Sequence, residues 1–171
     1  MKIVVVGDSY STKLTVYKGK PTTFTWIHCL EESYEVECFG VPGSSNLETL
    51  SQIPDTWDCL IASLSPVNRP PYLLFDQNET EWFRQEKTGQ HMRDNLRAAR
   101  KLVKLPRSIV WSSFSDYRGV KDIHYIPLVG YNELNDPRAV RDRNNYTGCH
   151  LTKEGNEKLA RIMRSLIHMK I

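Results

Sequence analysis

The sequence predicts a three-layer α/β/α sandwich around a mostly parallel central sheet of about five strands. Three observations carry this expectation. Short apolar runs recur along the chain, as at residues 3–6, which are all β-branched, and at 59–62. Segments with helical spacing of apolar residues lie between those runs, and alternation of strands with helices favours a doubly wound parallel sheet. The composition is that of an ordinary globular chain, with 40% hydrophobic and 25% charged residues over 171 positions.

The elements follow in order. Residues 3–6 (Ile-Val-Val-Val) form an unbroken apolar run that suits a strand covered on both faces. Gly7-Asp8-Ser9 ends it, and residues 10–21 carry no readable pattern. Residues 22–30 are expected to form a short helix bearing Trp26, Ile27 and Leu30. Residues 34–39 alternate polar and apolar, giving a second strand. After Gly40-Val41-Pro42-Gly43, the run Ser44-Ser45-Asn46 offers a cap for a helix carrying Leu47, Leu50 and Ile53. Residues 58–63 read as a third buried strand, followed by a loop with Pro66, Pro70 and Pro71.

A helical pattern spans residues 79–104, with Met92, Leu96, Ala99 and Val103 on one face and Gly89 as a point of kinking. Residues 108–111 make a fourth strand and residues 124–127 a short fifth, while residues 128–149 read as a polar loop. The final helix is the plainest: Leu159, Ile162, Met163, Leu166 and Ile167 recur at helical spacing after Thr152 as N-cap. There are no internal repeats and no change of composition, so residues 1–171 read as a single domain.

Charge and cysteine usage exclude several classes. The net charge of +3 is too small to imply nucleic acid, and none is expected as a partner. The basic residues between Arg84 and Arg107 are interspersed with Glu81, Glu86 and Asp94, which reads as a solvated helix face. No stretch approaches the roughly 18 apolar residues of a membrane span. The first apolar run is too short for a signal peptide, so a cytoplasmic protein is expected, and the sequons at Asn78 and Asn145 read as chance. Cys29, Cys38, Cys59 and Cys149 are scattered, without the pairing of a zinc site or a disulfide framework, and are expected to be reduced and mostly buried. No metal or cofactor is implied. His28, His91, His124 and His168 give no usable signal.

Ligands of open α/β sheets bind beyond the carboxyl ends of the strands. Ser9 follows the first strand, Gly43 the second and Asn68 the third, and His150 immediately precedes the last helix. A nucleophile, a base, a backbone donor and a side-chain amide are the parts that acyl transfer needs.

The residues around these positions resemble the sequence blocks of the SGNH/GDSL hydrolases. Val6-Gly7-Asp8-Ser9 is similar to the first block, whose serine is the nucleophile. Phe39-Gly40-Val41-Pro42-Gly43-Ser44-Ser45 resembles the second, with Gly43 matching the oxyanion glycine better than Gly40. Residues 58–68 look like the strand that leads to the third block and its asparagine, Asn68. Cys149-His150-Leu151-Thr152-Lys153-Glu154-Gly155 is similar to the last, whose histidine is the base. The resemblance implies the three-layer fold, a serine esterase acting on a small acyl or O-acetyl ester of a small molecule or glycan, and no cofactor. It also admits acyl transfer to another alcohol.

The chain departs from the family at two places. Ser65-Pro66-Val67-Asn68-Arg69 lacks the glycine and aspartate of the third block, and Thr147 stands where the acid of the last block belongs. Three alternatives stay open for His150: another loop acid (Asp116, Asp136 or Asp142), a Ser–His dyad leaning on a backbone carbonyl, or an impaired site. An impaired site would make the protein a catalytically silent binder of a ligand or partner on the same fold. A nucleotide-binding reading of the strand alternation lacks a glycine-rich phosphate loop. Tyr72, Phe75, Tyr131 and Tyr146 are candidate pocket-lining residues.

Overall fold

The computed structural model of the chain describes residues 1–13, 15–17, 20–22, 24–67, 88–113, 117, 119–127, 151 and 153–171. In chain order the described elements are β1 (Lys2–Val6), a 3-10 turn (Ser9–Ser11), β2 (Thr15–Tyr17), β3 (Lys20–Thr22), α1 (Trp26–Glu31), β4 (Glu35–Cys38), α2 (Asn46–Ser51), β5 (Cys59–Ser63), α3 (Thr88–Leu102), β6 (Ser108–Ser112), β7 (Ile123–Tyr125) and α4 (Lys153–Lys170).

Five strands form one parallel sheet in the order β4-β1-β5-β6-β7, and β2 and β3 make a separate antiparallel hairpin. Registers such as Val5↔Cys38, Val5↔Ile61, Ile61↔Ile109 and Val110↔Ile123 fix the pairing. The chain winds outward from β1 in both directions, so β1 and β5 are neighbours at the point where the winding reverses. In sheets of this order, that switch point leaves a crevice at the carboxyl ends of the two strands.

The side-chain period of two sorts the sheet into two cores. Ile3, Val5, Ile61, Ile109 and Trp111 face α1 and α4, where Trp26, Leu30, Leu159 and Met163 complete one cluster. Val4, Val6, Leu60, Ala62 and Val110 face the other way and meet Ala99 and Leu102 of α3, with Leu50 and Ile53 packed alongside. Helices therefore cover both faces, and the fold is α/β in three layers. The unbroken apolar run of β1 is explained by this placement: residues 3–6 are fully buried, with β4 and β5 on either edge. β4 is an edge strand, so its alternating pattern leaves Glu35 exposed.

Several expected boundaries move. The helix expected over residues 22–30 begins at Trp26, because Lys20–Thr22 pairs with Thr15–Tyr17 and Thr25 takes the N-cap. The unreadable stretch 10–21 thus contains a 3-10 turn and the hairpin, elements too short to show periodicity. Of the helix expected over residues 79–104, the described part runs from Thr88 to Leu102, and Gly89 lies inside it. Ser45 caps α2, its hydroxyl accepting from the Glu48 N–H while Glu48 accepts from the Ser45 N–H at 2.7 Å, a reciprocal box. Thr152, the sequon residues, the four candidate pocket aromatics and the whole loop at 128–149 lie outside the described residues. No helix among the described residues is long and apolar enough to cross a membrane.

Candidate functional site

The carboxyl ends of β1, β4 and β5 converge on the turn that carries Ser9. Gly7 leaves β1 with φ of +135°, a conformation L side chains rarely adopt, and a Cβ there would lie 2.2 Å from the Ser63 Oγ. Its N–H donates to Gln52 Oε1 at 2.9 Å, and its carbonyl accepts from Val41 N and from Ser44 Oγ, both at 2.9 Å. The peptide before Asp8 is thereby tied to the loop that follows β4.

Asp8 then caps the 3-10 turn. Its carboxyl accepts from Tyr10 N at 3.1 Å, from Ser63 Oγ at 3.1 Å and from Ser65 Oγ at 3.4 Å, and the residue is 1% exposed. Ser9 is the first residue of the turn, which Ser11 N closes onto the Asp8 carbonyl at 2.9 Å. The two residues after Ser9 are held from several sides. Trp26 Nε1 donates to the Tyr10 carbonyl at 2.6 Å, Ser11 Oγ donates to Ser63 Oγ at 2.7 Å, and Cys38 Sγ donates to the Ser11 carbonyl at 2.9 Å. These bonds hold the backbone of the turn at Tyr10 and Ser11 in one arrangement.

Gly43 sits in the turn Val41-Pro42-Gly43-Ser44, which Ser44 N closes onto the Val41 carbonyl at 3.1 Å. Proline at the second position and glycine at the third with φ of +83° define a type II turn. Such a turn leaves the N–H of its third residue pointing away, and among the described residues the Gly43 N–H has no acceptor. Gly40 serves a different purpose. A Cβ at Gly40 would stand 1.9 Å from the Ser11 carbonyl oxygen, so only glycine lets the β4 loop lie against the Ser9 turn.

Beneath the turn lies a polar network that the sequence did not disclose. Asn46 accepts from Ser65 N at 2.8 Å through Oδ1, donates through its own N–H to Asn95 Oδ1 at 2.9 Å, and donates its amide to the Tyr117 hydroxyl. Tyr117 in turn donates to the Ser65 carbonyl, Ser65 Oγ to the Ser44 carbonyl, and Asn95 Nδ2 to the Val67 carbonyl at 3.0 Å. Asn95 is 2% exposed in the middle of α3. Polar residues at buried helical positions, and serines just past a strand, are the signals that point to such a network.

The site residues expected from sequence divide into two pairs. Ser9 and Gly43 lie on the two loops that Gly7, Ser44 and Gly40 stitch together. Asn68 and His150 lie outside the described residues, as do Thr147, Cys149 and the alternative acids Asp116, Asp136 and Asp142. Their nearest described neighbours are anchored. Val67 is buried and held through its carbonyl by Asn95. Leu151 is buried in the α1–α4 core, its carbonyl accepting from Asn156 Nδ2 at 3.3 Å. Asn156 also accepts from Trp26 N at 2.8 Å, joining α4 to the start of α1.

The described thiols, Cys29, Cys38 and Cys59, are poor nucleophiles. Burial raises Cys38, beside the turn, above the ordinary thiol value, and pushes Cys59 up to about 11. A thiol held protonated does not attack a carbonyl at neutral pH. No family model matches the chain, and no curated protein is significantly similar to it.

Proposed function

We propose that the protein is a serine hydrolase of the SGNH/GDSL kind that cleaves a small acyl or O-acetyl ester. The observation that carries this reading is the position of Ser9: first residue of a tightly held turn at the β1–β5 switch point, with the open N–H of Gly43 on the adjoining loop. The ordered sequence blocks ending in His150 supply the rest of the constellation.

In this mechanism His150 takes the Ser9 hydroxyl proton as the oxygen attacks the ester carbonyl. The C=O π pair moves onto oxygen, and the tetrahedral oxyanion is held by the Gly43 and Ser9 N–H groups and the Asn68 amide. Collapse expels the alkoxide, which takes the proton from His150 and leaves as the alcohol. Water, deprotonated by His150, then attacks the acyl-enzyme, and the carboxylic acid departs as Ser9 recovers its proton. In this reading Asp8 has a structural role, its carboxyl accepting from Tyr10 N, Ser63 Oγ and Ser65 Oγ beneath the turn.

The test is turnover of p-nitrophenyl acetate. Wild-type protein is expected to show saturable hydrolysis that Ser9→Ala and His150→Ala both reduce by at least about a thousandfold. Turnover that survives in Ser9→Ala contradicts the proposal. Absence of turnover in every form favours the silent binding protein, which Thr147 in the acid position suggests.

A further inference from the structure

The basic face of α3 is not used by the hydrolase reading. Residues 88–107 hold six of the chain's 23 Lys and Arg but one of its 20 acids, Asp94, so the rest of the chain is net acidic. Arg93, Arg97 and Arg100 recur at intervals of four and three, which places them within about 60° of arc on one face of α3, and Lys104 stands in the turn just past its end. All four are exposed, whereas Asn95, Ala98, Ala99 and Leu102 turn into the core. Arg97 pairs with Asp94 at 3.5 Å and Arg93 donates to Gln90. Among the described residues, the side chains of Arg100, Lys101, Lys104 and Arg107 have no acidic or hydrogen-bonding partner. Attraction of cations to a helix C-terminus accounts for Arg100 and Lys101, but it fades within a turn and does not extend to Arg93 and Arg97, which have only the local partners Gln90 and Asp94.

This stripe leads to a groove. Asp55, Thr56, Trp57, Pro106 and Arg107 line a space of about 320 Å³, and Arg107 follows the last residue of the stripe by three positions. The lining segments precede β5 and β6, so the groove lies at the amino end of the sheet, opposite Ser9. The half-buried Trp57 is fixed by donation from its Nε1 to the Pro106 carbonyl at 3.1 Å.

Against the sequence-based expectation of no nucleic-acid partner and a merely solvated helix face, we propose that this face binds single-stranded nucleic acid, with phosphates along the stripe and a base in the Trp57 groove. A row of cations tracks a phosphate backbone, and an aromatic side chain beside it stacks a base that a duplex would keep hidden. Asp55 on the groove lip suits a base amino group and repels a second phosphate. An anionic membrane fits less well, since Met92 is the one large hydrophobic exposed on α3.

The test is fluorescence anisotropy of a labelled oligo-dT strand titrated with the full chain. Neutralisation of about five phosphates predicts a loss of affinity of roughly a hundredfold between about 50 and 200 mM salt. The triple charge reversal Arg97→Glu, Arg100→Glu, Lys104→Glu is expected to weaken binding at least about a hundredfold at low salt. Trp57→Leu should weaken it about tenfold or more while Trp57→Phe retains it. Arg107→Glu, which changes an exposed side chain of the same groove, gives a second reading should Trp57→Leu unfold. Ser9→Ala should bind like wild type. The proposal is overturned by any of these: no binding at low salt, binding indifferent to the charge reversals, a duplex bound as tightly as the single strand, or phosphatidylserine vesicles bound in preference to oligo-dT.

Discussion

The Ser63 hydroxyl donates to the Asp8 carboxyl across 3.1 Å, which fastens the end of β5 to the residue preceding Ser9. Both residues are almost completely buried, at 2% and 1% exposure, so neither has water as a substitute partner. Asp8→Ala strips an acceptor from Ser63, Ser65 and the Tyr10 N–H together and is expected to cost about 3 kcal/mol. Ser63→Ala removes one donor to Asp8 and one acceptor from Ser11, and should cost about 1–2 kcal/mol. Urea unfolding measures both through the midpoint at constant slope. An Asp8→Ala protein as stable as wild type would show that the network does not hold the turn.

Two glycines give opposite expectations from the same substitution. Gly40→Ala drives a Cβ into the Ser11 carbonyl at 1.9 Å, where backbone must move, so both stability and reactivity at Ser9 should fall. Gly89→Ala meets only the flexible end of Arg93, at 3.6 Å, within α3, and should raise stability by about 0.5–1 kcal/mol. Thermal unfolding of the two variants side by side checks the signs. Equal effects would mean that close approach at Gly40 is not what selects glycine there.

Stability should decline toward both ends of the pH range, for separate reasons. Burial pushes the Cys59 thiol up to about 11 from an ordinary value of 9.0, and raises Cys38 and Cys29 in the same direction. The unfolded chain therefore sheds these protons first, and the stabilisation, complete below pH 9, is lost as pH climbs toward 11. His124 is shifted the other way: burial lowers it, Lys170 adds to that effect and Asp122 opposes it. The folded state favours the neutral imidazole, so its contribution is present above pH 6.5 and fades as pH falls below that value. Urea midpoints across this range should trace both limbs, and Cys59→Ala should flatten the alkaline one. An alkaline limb identical in Cys59→Ala assigns that decline to other groups.

The fold was largely legible because its signals are long or strongly periodic. The buried runs of β1 and β5 and the spacing of Leu159, Met163 and Leu166 in α4 each leave a pattern that a parallel sheet with helices on both faces explains. Residues 10–21 were opaque because a three-residue turn and two three-residue strands cannot show a period. Gly43 was picked out in the sequence by its block, and the type II turn it makes with Pro42 came from the structure. The network through Asn46, Asn95 and Tyr117 was not, because its members are distant in sequence and meet only when α2, α3 and the segment after β6 pack together. Asn68 and His150 were identified by their blocks in sequence, and lie outside the described residues.

The most direct test of the central claim is covalent capture of the nucleophile. The intact protein is treated with a fluorophosphonate, and the adduct is located by mass spectrometry of its peptides. The account predicts a single phosphonylated residue, Ser9, with labelling abolished in Ser9→Ala and slowed at least about a hundredfold in His150→Ala. A protein that remains unlabelled, or carries its adduct on another serine, contradicts it.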